Sequence, residues 1–175
     1  MEDYRITKLR TYLFEIINTL TTNSNYQINA NMLSNKVGDY SLDKIPTETE
    51  VESWIIGVVK RRDVYSFRSR KTYSQDTINN LKNIGFFERL ESIIKSNNDK
   101  GVLPDIEGIE SIECLNCGTM ISNDDGKTGT FDIQIQITYR DDNEGGEVSL
   151  WQKLLQKLIL LLMMFNTLKA MRLVD

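Results

Sequence analysis

The sequence predicts an α+β fold in which helices pack on a mostly antiparallel β-sheet. Apolar residues recur at spacings of three and four in some segments and alternate with polar residues in others. A length of 175 residues, with 40% hydrophobic and 26% charged residues, is that of an ordinary globular protein with room for one domain. Composition therefore disfavours disorder, a collagen-like repeat and a coiled-coil rod.

Residues 3–20 form the first element, an amphipathic helix. Their apolar positions recur at spacings of three and four, at Ile6, Leu9, Leu13, Ile16, Ile17 and Leu20. Residues 26–33 alternate apolar and polar side chains, which predicts a short half-buried strand. A polar connection is expected next, and Pro46 closes off regular structure there.

Residues 50–73 are rich in Val, Ile, Tyr, Phe and Trp, which predicts two strands with a turn or bulge between Gly57 and Asp63. Alternation places Arg68 and Arg70 on the strand face opposite Phe67 and Ser69. We expect this face to be solvated or to contact another protein.

Residues 74–98 predict either one helix kinked at Gly85 or two shorter helices. Ser74 and Asp76 are candidate N-caps, and Ile78, Leu81 and Ile84 share one face.

The next strands are predicted at residues 108–117 and 129–140, the second with the clearest alternation in the chain. Alternation over 108–117 places Glu110 and Glu113 on opposite faces. The polar segment 123–127 is expected to be a turn that joins hairpin strands. In the second strand one buried face is expected, made of Phe131, Ile133, Ile135, Ile137 and Tyr139.

The sequence divides into an α+β domain at 1–142, a polar linker at 143–148 and a C-terminal helix at 149–175. The helix carries a heptad-like apolar seam of six residues, which is the predicted partner-binding surface: Trp151, Leu154, Leu158, Leu161, Phe165 and Leu168. Residues 158–165 are apolar all the way round, so the helix packs on its own domain or on a partner. A membrane span is disfavoured because polar and basic residues flank this short run.

Composition excludes several kinds of chemistry. The chain has no His, which removes histidine bases, Ser-His-Asp sites and histidine metal ligands. Its two cysteines, Cys114 and Cys117, are too few for a structural zinc site and are expected to be reduced and inert. No phosphate-binding glycine motif is present. The sequence thus predicts no metal, no cofactor and no enzyme activity.

Charge is distributed unevenly, although the net charge is only −4. Residues 60–71 carry six basic residues and one acidic residue, whereas residues 105–147 carry eleven acidic and two basic residues. The acidic balance disfavours a nonspecific nucleic-acid binder. The two regions are either solvated surfaces or opposite faces on which copies of the chain dock. The candidate contact residues of the basic stretch are Arg61, Arg62, Arg68 and Arg70.

Three stretches resemble one family of phage structural proteins. These are YSLDKIPTETEVESWII at 40–56, TYSQDTINNLKNIGFFERL at 72–90, and the segment 108–140, which contains SIEC and FDIQIQI. They are similar to the tail terminator group of Gram-positive phages and phage-tail-like particles, also called tail completion or minor capsid proteins. The resemblance spans about residues 1–140, and residues 144–175 extend beyond the usual end of that family.

The resemblance implies a compact α+β subunit assembled as a hexameric ring. Such a ring caps the tail tube, stops its polymerisation and joins it to the neck or connector protein, and to the sheath in a contractile tail. It implies no active site, and a location in the virion tail or neck after synthesis in the bacterial cytoplasm. The absence of a signal peptide at the start of the sequence agrees with this expectation. Another neck-ring protein, or a soluble regulatory module that binds nucleic acid or protein, is the alternative.

Overall fold

The computed structural model of the protein has the predicted α+β fold. It describes residues 4–21, 25–54, 58–73, 77–123, 127–141 and 157–159. The two long helices among these residues are α1 (Arg5–Leu20) and α2 (Thr77–Asp99). Seven strands form one sheet: β1 (Ile28–Ala30), β2 (Tyr40–Ile45), β3 (Glu50–Ser53), β4 (Val59–Thr72), β5 (Ile109–Cys114), β6 (Thr119–Asn123) and β7 (Thr128–Asp141).

The sheet is built around one long antiparallel ladder between β4 and β7, in register from Val59 opposite Asp141 to Thr72 opposite Thr128. The strand order is β1-β2-β4-β7-β5, with β3 paired to β4 and β6 paired to β7. Only β1 and β2 pair in parallel among the described strands. The prediction of a mostly antiparallel sheet is therefore confirmed.

Both described helices cover the same face of the sheet. The buried residues of α1 and α2 belong to one core with the predicted apolar face of β7 and with Tyr65 and Phe67 of β4. Asn97 of α2 donates a hydrogen bond to the hydroxyl of Tyr12 on α1 at 3.1 Å, which joins the helices above the sheet. Aromatic rings continue this core from α1 to β7, with neighbouring centroids 5.2–6.0 Å apart.

The polar connection expected after residue 33 contains a strand, so that expectation was wrong. β2 lies next to β4, and its Tyr40 and Leu42 are buried against the helices. Ser41 and Asp43 lie on the other face, where Asp43 accepts hydrogen bonds from Ser41 and Arg68. Asp and Lys are uncommon in strands, and their partners on β4 are not visible from the local sequence.

The helix predicted at 74–98 is a single helix, Thr77–Asp99, without a break into two at Gly85. Residues 74–76, with the candidate caps Ser74 and Asp76, lie outside the described residues. The predicted turn between Gly57 and Asp63 is shorter than expected, because β4 already begins at Val59.

A register shift in β5 corrects the expected alternation of its carboxylates. Both Ile109 and Ile112 are paired with core-facing residues of β7, Tyr139 and Ile137. Glu110 contacts Lys60 and Arg140, and Glu113 accepts a hydrogen bond from Gln136. The bulge thus places both glutamates on the polar face of the sheet rather than on opposite faces.

Candidate functional site

The four predicted contact arginines all lie on β4 but do not form one patch. Residues of β4 point alternately to the two faces of the sheet. Phe67 and Ser69 are fully buried under the helices, so Arg68 and Arg70 lie on the opposite face, as predicted. Arg62 shares that face, whereas Arg61 lies on the helix side, paired with Tyr139 in the register.

Carboxylates of neighbouring strands pair with three of the six basic residues of this stretch inside the chain. Arg68 contacts Asp43 on β2, and Arg61 contacts Asp141 on β7 at 3.4 Å. Lys60 and Arg140 both contact Glu110 on β5, and the hydrogen bond from Lys60 is the main reason that the pKa of Glu110 is lowered. The two oppositely charged regions therefore meet within one subunit, and they do not by themselves require a second copy.

Of the six predicted seam residues, the structure describes only Leu158. It lies in the helical segment 157–159 and is 56% exposed. Trp151, Leu154, Leu161, Phe165 and Leu168 lie outside the described residues, as does the predicted linker. Neither α1, α2 nor segment 157–159 combines the length and apolar content needed to cross a bilayer.

An apolar stripe lies on the first half of α2. Ile78, Leu81 and Ile84 are 63%, 60% and 43% exposed. Further along the same helix, Phe86, Phe87, Leu90 and Ile94 are buried. At about 100° per residue, Leu81 lies on the side of the helix roughly opposite this buried face. The stripe is therefore an outward apolar surface rather than part of the core.

A buried carboxylate that the sequence analysis did not single out lies near the start of β4. Asp63 is 1% exposed and contacts two cations: Lys44 Nζ is 2.6 Å from Oδ1, and Arg5 Nε is 3.3 Å from Oδ2. The hydroxyls of Tyr65 and Tyr139 lie 3.5 and 3.4 Å from Oδ2. Asp63 lies two residues before Tyr65 and four before Phe67, so strand alternation places it on the same face of β4 as these core residues. This alternation is the one signal in the sequence that indicated its burial.

Lys71 is a second, partly buried charge that the sequence analysis did not single out. Its ammonium group lies 4.0 Å from the ring centroid of Phe86 and 4.8 Å from that of Tyr40, and it donates a hydrogen bond to the Tyr40 hydroxyl at 3.1 Å. Burial lowers the pKa of Lys71 to about 8. No carboxylate of the described residues lies within ion-pair distance of it.

The two cysteines lie at and just after the end of β5 and form no disulfide with each other. Burial raises the pKa of Cys114 to about 12, so its thiol stays protonated and unreactive at neutral pH. Within the described ranges, no three His, Cys, Asp or Glu residues are arranged to hold a metal ion.

No protein-family model matches this chain, and no curated protein matches it.

Proposed function

We propose that this protein is a structural subunit that assembles into a closed ring, of the tail-terminator kind that its sequence resembles. In this proposal a hexamer caps the tail tube, stops its growth and joins the tail to the neck or connector protein. In a contractile tail the ring also contacts the sheath. The proposal assigns the chain no catalytic role.

The observation that carries this proposal is the apolar stripe of Ile78, Leu81 and Ile84. A rigid helix that exposes three large aliphatic side chains in succession presents a surface typical of protein–protein contacts. Leu158 and Ile159 of the C-terminal segment are also exposed. Their exposure favours packing of that segment against a partner over packing against the core of its own chain.

The motifs that carry the resemblance lie in core elements of the subunit. Segment NIGFFE lies in α2 and contributes Phe86 and Phe87 to the core, and FDIQIQI lies in the central strand β7. These motifs therefore describe the framework of the subunit. The internal pairing of Arg61 and Arg68 supports a structural role over nucleic-acid binding, because paired arginines release fewer counterions from phosphates.

The experiment is native mass spectrometry of the full chain, alone and with purified tail tube protein. We expect a six-fold species that caps tube ends. Leu81→Glu places a charge in the stripe and should shift the ring toward monomers. Ser92→Glu is the matched control, because it places the same charge at an exposed position of the same helix.

A stable monomer at micromolar concentration, both with and without tube protein, would contradict the proposal. Equal loss of the ring in both variants would show that added charge on α2, rather than the stripe, disturbs assembly. Salt-sensitive binding of DNA or RNA by the monomer would instead favour the regulatory module.

A further inference from the structure

A cavity of about 320 Å³ opens where the start of α1 meets β2 and β4. It is lined by Tyr4, Arg5, Ile6, Lys44, Asp63 and Tyr65. Asp63 closes it from inside, since its carboxylate is almost fully buried. The side chains of Arg5 and Lys44 are 45% and 47% exposed, so both cations are accessible from solvent.

The charges around this cavity do not balance. Two cations, Arg5 and Lys44, share the single carboxylate of Asp63. Two further charges that act on Tyr139, Arg61 and Asp141, contact each other. Among the described residues, two cations therefore share one carboxylate in a partly desolvated site, where electrostatic attraction for an anion is stronger than in bulk water.

The hydrogen-bond donors of Arg5 and Lys44 are held in place at the cavity and can still bind another acceptor. Arg5 is fixed by its Nε contact to Asp63 and by its guanidinium carbon, which lies 4.4 Å from the ring centroid of Tyr139. Its two terminal amino groups have no acceptor among the described residues. A guanidinium with such a free edge matches the two oxygens of a carboxylate or phosphate. Lys44 contacts Asp63 through one nitrogen that carries three donor hydrogens, and it can also bind a second oxygen.

We propose that this cavity binds one carboxylate or phosphate group between Arg5 and Lys44, with Asp63 positioning both cations from behind. The group belongs either to a free anion or to an acidic side chain of a neighbouring protein molecule. The site goes beyond the proposed function and does not depend on it.

The test is a calorimetric titration of the full chain with inorganic phosphate and with succinate, at constant ionic strength set by sodium chloride. We expect saturable binding with a dissociation constant of about 1 mM, the affinity of a small charge-assisted contact. Lys44→Met should weaken binding at least about tenfold, because it removes the excess charge. Lys95→Met removes an exposed lysine of α2 and should leave the affinity unchanged.

Lys44→Met leaves Asp63 with a single cation, so the circular dichroism spectrum of this variant is recorded first to check that it folds. If it does not fold, Arg5→Gln provides the same comparison. Absence of saturable binding of both anions up to about 50 mM, or equal affinity in the Lys44 and Lys95 variants, would overturn the proposal. Native mass spectrometry separates the two sources: phosphate that dissociates an oligomer indicates a neighbour's carboxylate, and binding without that effect indicates a free anion.

Discussion

Lys71 provides the sharpest test of the core, because its charge is partly buried and has no carboxylate partner among the residues that the structure describes. Its ammonium group is surrounded by the rings of Phe86 and Tyr40, and burial lowers its pKa from 10.5 to about 8. This difference corresponds to about 3 kcal/mol by which folding disfavours the charged form. We predict that Lys71→Met, which keeps the length of the side chain, stabilises the protein at pH 7 by about 1–3 kcal/mol, because contacts of the cation with the rings offset part of the cost.

The pH dependence follows from the direction of the shift. Between pH 8 and 10.5 the unfolded chain keeps the Lys71 proton and the folded chain loses it, so the free energy of unfolding rises with pH. Burial raises the pKa of Tyr40 and Tyr65 above 10.0, so above that pH the unfolded tyrosines ionise first and stability falls again. Stability of the natural chain should therefore be highest near about pH 9–10.

The assay is urea unfolding at pH 7 and at about pH 9.5, monitored by circular dichroism. Lys71→Met should lose most of its advantage at the higher pH, and the exposed Lys95→Met should behave as the natural chain at both. A Lys71→Met protein that is less stable at pH 7, or a stability difference that does not change with pH, would show that the ammonium group is not desolvated as the structure places it.

Three further predictions concern backbone and assembly. Gly85→Ala should stabilise α2 by about 0.5–1 kcal/mol in thermal unfolding, since an added Cβ meets nothing within 4 Å; a loss of stability would show that the helix requires glycine there. Gly118→Ala should destabilise by about 1–3 kcal/mol in the same assay, because its Cβ would overlap the buried Phe87 side chain; an unchanged melting temperature would contradict that contact. Ending the chain at Gly146 should preserve the circular dichroism spectrum and weaken ring assembly by mass; an unfolded product would place the C-terminal helix in the core.

Elements whose pattern is set by burial could be predicted from the sequence. The alternation from Phe131 to Tyr139 identified a strand with one buried face, and those five residues are at most 4% exposed. The first helix began within two residues of its predicted start and ended at its predicted end. In both segments the side chains that face the core are apolar, so local periodicity reports the tertiary environment directly.

Elements stabilised by partners distant in the sequence could not be predicted. β2 contains Asp43, whose Oδ2 accepts a hydrogen bond from Arg68, 25 residues later. Asp63 depends on Arg5, 58 residues earlier in the chain. A charged residue in a strand is unfavourable on local evidence until its partner is known, because burying a charge costs much less when the charge is paired. The candidate anion site was therefore invisible to motif and spacing arguments.

The apolar stripe on α2 shows that a correctly predicted helix face does not by itself reveal the environment of that face. Ile78, Leu81 and Ile84 share a helix face as predicted, but that face points away from the core that Phe86 and Phe87 enter. Because periodicity reports that a surface is apolar and not what covers it, the change of face near Gly85 could be found only in three dimensions. The same comparison explains why the proposed assembly uses the stripe: its apolar side chains are exposed, and burying exposed apolar surface is favourable.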